Sequence, residues 1–337
     1  MERIQLTLDE VEQRARDCLL ANGCDADNAN ALAATMAAAE RDGCPSHGLF
    51  RLPGYTASLR SGKVDGAATP TLERVAPGII RVDGHGGYAP LALAKGRPML
   101  VETAKETGIA ALALTNVHHF AALWVETEAV VEEGLAAMAF TSYMPSVAPA
   151  GASKPFFGTN PMAFGWPRPG QAPMVFDQAS AAMARGEIMI AARDGHSVPE
   201  GGGLDADGNP TTDPNAILKG GTQLPFGGYK GSSIAMMVEL LASGLLGQPF
   251  SYEAAIEDNK DGGPPRGGEL MIALDPARFG DADNWQAHCE KFFTELSGLE
   301  GTRLPGSRRH RNRAENQRDG VSVLASLVKK IEELTAK

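Results

Sequence analysis

The chain has 337 residues, 43% of them hydrophobic and 21% charged, which allows one large domain or two to three small ones with ample core. A formal net charge of −10 argues against non-specific binding to nucleic acid or an anionic membrane. It leaves room for a small anionic ligand held by one local arginine.

The opening MERIQLTLDEV lacks the apolar stretch of a signal peptide, and no apolar run is long enough to span a bilayer. Cys18, Cys24, Cys44 and Cys289 form no CxxC pair and no zinc-ligand pattern, so reduced thiols in a cytoplasmic protein are expected.

Thr7 and Glu10 have capping-box spacing, and Val11, Ala15, Cys18 and Leu19 recur at helical intervals, so a helix is predicted over 7–21. A second is predicted from Asp25 to Arg41 and a third piece from Leu49 to Leu59. Between them, RDGCPSHGLFRLPGY at 41–55 breaks the pattern with Gly43, Pro45 and Gly48. It sets Ser46 beside His47, with Arg51 one helical turn further on. Such a cluster either places a proton donor and a carboxylate-binding cation in one pocket, or is a helix cap followed by a surface loop.

Further on, 79–83 reads as a strand, GHGG at 84–87 as a loop, 90–107 as a helix and 109–114 as a strand opening into Asn116-Val117-His118-His119. A helix over 124–133 and a strand over 136–141 follow. The middle is rich in glycine and proline; 173–181 reads as a strand ending at Asp177, followed by a helix over 185–192. Turn signals at 205–214 predict a surface hairpin. Lys230 lies in PFGGYKGSS just ahead of an apolar helix at 234–246. Residues 255–268 read as a flexible loop, 269–274 as a strand, 284–299 as a helix and 322–336 as a final helix. The basic run at 303–313 is either a solvated face or an ordered phosphate-holding loop around its LPG core. This alternation implies α/β or α+β packing and leaves the strand order open.

The GxGxxG fingerprint is absent, Gly84, Gly86 and Gly87 being a partial match only, so a nicotinamide enzyme with this sequence would not use the ordinary dinucleotide fold. GxSxG and HExxH are absent too. His118 and His119 follow a strand, but only Asp177 offers a comparable strand-terminal carboxylate, so no metal site is expected.

RDGCPSHGLFR, NVHHFAALW, FFGTNPMAFG, VFDQASAAMARGE, LPFGGYKG and RLPGSRR, in this order over roughly residues 7 to 330, resemble the type-2 malate/L-lactate dehydrogenase-like oxidoreductases, and within them the Δ1-piperideine-2-carboxylate/Δ1-pyrroline-2-carboxylate reductases. The resemblance implies a non-Rossmann NAD(P)-binding fold with a mixed, largely antiparallel sheet and surrounding helices. It implies an N-terminal helical part at 1–75, a central cofactor-binding region at 76–300 and a C-terminal segment at 301–337 that returns to the first part. By the same resemblance His47 is the proton donor with Ser46 beside it, Arg51 holds the substrate carboxylate, and Thr159 is a second substrate contact. Glu187 stands where the imine reductases carry aspartate and the hydroxyacid dehydrogenases lysine, so a Ser46, His47, Glu187 relay is expected, with Glu187 favouring the charged ring. Cofactor contacts fall on His118, His119, Phe120, Ala121 and Ala122, on Asp177, Gln178 and Ala179, on Tyr229, Lys230 and Gly231, and on the loop of Arg303, Leu304, Pro305, Gly306, Ser307, Arg308 and Arg309.

The implied activity is NADPH-dependent reduction of cyclic imino acids by a homodimer whose site lies near the subunit interface, without nucleic-acid or membrane partners. Its rivals are an NAD(P)-dependent 2-hydroxyacid dehydrogenase and a dinucleotide-binding protein without turnover.

Overall fold

The computed structural model describes residues 2–336. In chain order the elements begin with β1 (Arg3–Leu6), α1 (Leu8–Ala21), α2 (Ala26–Arg41), α3 (Leu52–Arg60), β2 (Thr71–Ala76), β3 (Ile79–Tyr88), α4 (Ala89–Thr107) and β4 (Ile109–His118). The middle holds α5 (Leu123–Val131), β5 (Ala136–Thr141), β6 (Met162–Trp166), β7 (Met174–Gln178), α6 (Arg185–Asp194), β8 (Gly203–Leu204), β9 (Pro210–Thr211), α7 (Pro214–Leu218) and β10 (Thr222–Gln223). Then come α8 (Tyr229–Glu239), α9 (Ser251–Glu257), β11 (Arg266–Leu274), α10 (Trp285–Gly298), α11 (Ser307–Asp319), β12 (Val321–Leu324) and α12 (Ala325–Thr335).

The main sheet has seven strands in the order β2-β3-β4-β11-β5-β6-β7. Only β3 and β4 run parallel, joined by α4 as a crossover; every other neighbour pair is antiparallel. This is the mixed, largely antiparallel architecture expected from the sequence. Alternation in β4 buries Ala110, Leu112 and Leu114, which pack with Leu93 and Leu100 of α4 and Leu123, Val130 and Val131 of α5. A second core joins α1, α2 and α3 to β1, β12 and α12, where Val328, Ile331 and Leu334 face Val11, Leu19, Leu32 and Met36. Tyr88 links the two cores: its hydroxyl donates to the Tyr55 carbonyl at 2.7 Å and meets Ser58 Oγ at 3.0 Å.

Several elements depart from the sequence reading. The capping box forms as expected, Thr7 N–H donating to Glu10 at 2.8 Å and Glu10 N–H to Thr7 Oγ1 at 3.2 Å. The GHGG stretch is no loop but a bulge within β3: pairing with β4 jumps from Asp83–Thr115 to Gly87–Val117, with His85 and Gly86 at positive φ. Residues 322–324 are strand, not helix, because β12 pairs antiparallel with β1. The interval 255–268 ends α9 and starts β11 around a shorter loop, in which Lys63 pairs with Asp258 and Asp261 at 3.0 and 2.6 Å. The basic run is a turn only as far as Gly306, and α11 takes up the rest.

Among the ties that hold α11, which include Asn316 donating to the Glu40 and Arg41 carbonyls, one is an ion-pair fork. Arg313 donates through Nε and Nη2 to Asp42 at 2.8 and 2.9 Å and through Nη1 to Glu128 at 3.0 Å. Asp42 is fully buried, yet its hydrogen bonds from Arg313 and Arg41 outweigh the burial and hold it below the usual carboxylate range. Replacing Arg313 by Ala takes the guanidinium from Glu128 and leaves buried Asp42 with Arg41 alone. Urea unfolding should then show a loss of about 3–5 kcal/mol, against about 0.5 kcal/mol or less for the exposed neighbour Arg311.

Candidate active site

The loop after α2 folds as two single-turn 3-10 pieces, Pro45–His47 and Leu49–Arg51, joined at Gly48. A Cβ on Gly48 would run into the Glu40 carboxylate, which accepts the Leu49 N–H at 2.9 Å; only glycine lets the loop lie this close to α2. The fold sets Ser46 Oγ 3.0 Å from His47 Nδ1. Arg51 donates through Nε to the Ser46 carbonyl at 2.7 Å, which leaves its two terminal nitrogens without a hydrogen bond among the described residues. Ser46, His47 and Arg51 are therefore brought together.

Aromatic rings hold this group. The Arg51 guanidinium lies 4.5 Å from the Phe120 ring centroid, and Phe120 packs edge-on against Tyr55 at 4.8 Å, which in turn meets Tyr88 at 5.0 Å. On the other side the His47 ring meets Trp124 edge-on at 5.5 Å, and the Trp124 indole N–H donates to buried Asp42 at 3.0 Å. Burial, then the nearby Arg51 guanidinium and His119, push His47 down to about 3, with Glu126 opposing them. The ring is neutral at rest. No hydrogen bond joins the Glu187 carboxylate to His47 among the described residues: Gly186 packs against Ser46, while Glu187 is exposed in the first turn of α6, its backbone N–H donating to the Ala184 carbonyl at 3.0 Å. Ser46 is the side chain that meets the His47 ring nitrogen. Thr159 is half-buried beside the strand that carries Asp177, its carbonyl accepting the Ser180 N–H at 2.8 Å.

Behind His47 lies a buried acid network. His119 Nε2 meets Glu126 Oε1 at 2.6 Å and Glu269 Oε2 at 3.8 Å, and neither Glu269 oxygen has a conventional donor. Burial, together with the Glu126 charge, raises Glu269 well above the carboxylate range, while His119 holds Glu126 below it against its own burial. The three ligand atoms lie within 4.8 Å of one another, a spacing a cation could use, but the short His119–Glu126 hydrogen bond already joins two of them. Asp177 accepts the Trp124 N–H at 3.2 Å, and burial pushes it up to about 7. His118 points elsewhere: its Nδ1 meets the Pro264 carbonyl at 3.2 Å, and burial lowers it to about 4.

The other residues expected to contact a cofactor fall in several places, of which Asp177 and the 303–309 turn share one cleft. Ala121 is left-handed at φ 51°, and Ala122 donates its N–H to Glu126 at 3.4 Å. Gln178 is exposed, and Ala179 is packed near Val147 and Phe157. Tyr229 and Lys230 are exposed at the start of α8, while buried Gly231 leaves room for the Ser180 carbonyl. Phe176, Asp177 and Arg303 to Arg309 enclose a cleft of about 310 Å³. Gly306 (φ 88°) lies so close to Val175 that a Cβ would sit 3.0 Å from its carbonyl oxygen. Arg303 and Arg308 make no ion pair among the described residues, so a phosphate-bearing ligand would meet cations free to bind it. Of the 303–313 arginines, Arg313 is taken up by Asp42 and Glu128 instead.

The fold is thus a largely antiparallel, non-Rossmann sheet with a Ser–His–Arg cluster beside a basic cleft. The malate/L-lactate dehydrogenase family profile matches residues 6–332. The chain is 47% identical over 335 residues to a Δ1-pyrroline-2-carboxylate reductase of Ancylobacter novellus, covering 99% of this chain and 98% of that one. It is 43% identical to a (2R)-3-sulfolactate dehydrogenase (NADP(+)) of Chromohalobacter salexigens, covering 92% of each. The crystal structure of a Δ1-piperideine-2-carboxylate reductase from Pseudomonas syringae superposes with a TM-score of 0.93 at 42% identity, covering 98% of this chain and 99% of that one. The chain belongs to the malate/L-lactate dehydrogenase family.

Asp42, Trp124, Glu126 and Glu269 were not among the residues singled out from the sequence. Trp124 lies inside the NVHHFAALW motif, but nothing local marks Glu269, whose neighbours come from β4 and β5. The raised Glu269 gives a stability test. Unfolding releases its proton once pH passes the ordinary glutamate range, so Glu269 costs the fold increasing stability as pH rises toward its folded pKa. Glu269→Gln keeps a neutral donor and removes that cost. Thermal melts should show the variant gaining on the parent at pH 8 relative to pH 5; parallel melting temperatures would mean that Glu269 is ionised.

Proposed function

We propose that this chain is a cytoplasmic, NADPH-dependent reductase of cyclic imino acids, converting Δ1-piperideine-2-carboxylate to L-pipecolate and Δ1-pyrroline-2-carboxylate to L-proline. The observation that carries the reading is the Ser46–His47 pair set beside the open fork of Arg51, in a chain closely similar to reductases of that name. The two free Arg51 nitrogens match a planar carboxylate and fix the neighbouring imine carbon in one pose. A reduced nicotinamide bound along the basic cleft supplies the hydride. Arg303 and Arg308 suit its phosphates, including a 2′-phosphate, and the 119–122 and 177–179 segments suit its nicotinamide end.

The ring nitrogen gains electron density as the C=N bond is reduced and needs a proton. His47 is neutral at rest largely because of burial and Arg51. A substrate carboxylate on Arg51 offsets that positive charge, so the imidazole becomes easier to protonate when substrate is present. Ser46 fixes the ring's Nδ1 side and leaves Nε2 for proton transfer. An exposed apolar strip of Tyr229, Met236, Met237, Leu240 and Leu245 supports a homodimer, since a second copy would cover it.

The similarity to a sulfolactate dehydrogenase favours one rival, a 2-hydroxyacid dehydrogenase using the same His47 and Arg51 on a ketone. Steady-state rates on both cyclic imino acids and on a panel of 2-oxo acids, each with NADPH and NADH, decide between them. The proposal expects the highest kcat/KM for a cyclic imino acid with NADPH. Faster 2-oxo acid reduction overturns the substrate assignment, and preference for NADH the cofactor assignment.

Arg51→Lys keeps the charge but loses the two-pronged fork. It should raise KM and lower kcat together, by about 10-fold or more in kcat/KM. Unchanged kinetics would remove Arg51 from the substrate carboxylate.

A further inference from the structure

The buried acids near His47 outnumber the cations that face them. Glu269 of β11 is buried, and neither of its oxygens has a donor among the described residues. The groups that face it are His119 just past β4, 3.8 Å away, Glu126 of α5 and Asp177 of β7. On neighbouring β5 the Thr141 hydroxyl is spent on the Gly268 carbonyl at 2.8 Å. Arg309 acts on Asp177. An oxygen of Glu126 lies within 4.8 Å of one of Glu269, and two carboxylates that close, with one imidazole between them, are not both ionised unless a second positive charge arrives.

The cluster lies where such a charge arises. His119, Ala122 and Asp177 belong to the segments expected to contact the cofactor, and the Ala122 N–H donates to Glu126 at 3.4 Å. The charges of His119 and Glu126 are felt at His47, beside the Arg51 fork. Hydride transfer sets the nicotinamide about 3–3.5 Å from the substrate carbon, hence beside the same groups. The reduced ring is neutral and the oxidised ring is a cation, and a buried space screens that difference poorly. Glu269 also has a way out. It and His119 line a narrow cleft of about 10 Å³, the size of a single water, that is lined in turn by Gly267 and half-buried Arg266. The strand is loosened there, the pairing of β11 with β4 slipping between Gly267 and Glu269.

We propose that Glu269 is a proton store governed by the charge of the nicotinamide: it holds a proton beside the neutral reduced ring and releases it to solvent, along the Gly267 cleft, beside the positive oxidised ring. The O–H bond of Glu269 breaks, its proton goes to water, and no electrons pass through the cluster. His119 and Glu126, joined at 2.6 Å, are the fixed partners, and Glu269 is the member whose charge changes. Burial and the Glu126 charge favour its neutral form, the state that the reduced cofactor meets. The inference rests on the nicotinamide reading above and deepens it. Proton and cofactor charge are linked in both directions, so rising pH strengthens the hold on the oxidised form relative to the reduced one.

The test counts protons by titration calorimetry of the full-length protein at about pH 8 with NADP+ and with NADPH, in HEPES and in Tris, whose heats of ionisation differ. The 2′-phosphate and the adenine are common to both cofactors, so their own titration cancels in the difference. The parent should release about half a proton or more per site with NADP+ beyond what it releases with NADPH. Glu269→Gln should abolish that difference and weaken NADP+ selectively, with NADPH staying within about twofold of the parent. Equal proton release from the parent with the two cofactors overturns the proposal, whether or not the variant folds, and leaves the NADPH reading intact. A difference that survives in Glu269→Gln also overturns it, and Asp177→Asn then shows whether the proton sits on Asp177 instead. Failure of the parent to bind either cofactor overturns both readings.

Discussion

The Asp42 carboxylate is the interaction on which the site depends. It ends α2, is fully buried, and accepts from Arg41, from Nε and Nη2 of Arg313 and from the Trp124 indole. Three separate parts of the chain thereby meet on one side chain: the loop carrying Ser46 and His47, the helix carrying Trp124 and Glu126, and the helix that begins at the basic cleft. A buried ion pair of this kind adds little net stability compared with apolar packing, but it tolerates only one arrangement of its partners. Its role here is registration: it sets the edge of Trp124 against His47 and brings the Arg303–Arg309 turn onto β7.

Around that anchor the charges are sorted. Arg51 lies on one side of His47, stacked on an aromatic column rather than matched by an acid. His119, Glu126, Glu269 and Asp177 form a separate buried group, in which His119 meets Glu126 and burial raises Glu269 and Asp177. The imidazole between these two fields responds to whatever changes the balance. A neutral resting ring beside an unneutralised guanidinium is therefore a poised arrangement rather than an inert one.

Much of this was legible in the sequence, for reasons that differ by element. The α1 capping box, the alternation of β4 and the Gly48 break depend on neighbours in sequence, and each appears where local chemistry placed it. The ordered set of motifs pointed to the family and its largely antiparallel sheet. β1 and β12 were missed because RIQL and VSVL are too short to show a period and exist as strands only through each other. The GHGG bulge was misread as a loop since glycines mark either, and only pairing with β4 decides between them. Glu187 was expected at His47 from its position in a motif; the first turn of α6 instead presents Gly186 to Ser46. Arg313 looked like part of a phosphate-binding run because nothing nearby in sequence announces Asp42 and Glu128 as its partners.

The pairing of β1 with β12 joins residues more than three hundred positions apart, Arg3 with Leu324 and Leu6 with Val321. Contacts of such long range form late, after the entropy of closing the intervening chain has been met. During synthesis the N-terminal helices emerge early, but their core lacks α12, and the Ser46–His47 loop lacks the Arg313 tie that fixes Asp42. A ribosome-bound chain reaching only residue 300 carries Ser46, His47 and Arg51 without the segment that walls the basic cleft. The complete cleft thus arrives with the last segment of the chain, so unfinished or C-terminally clipped molecules hold the Ser46–His47–Arg51 cluster but not the wall beside it.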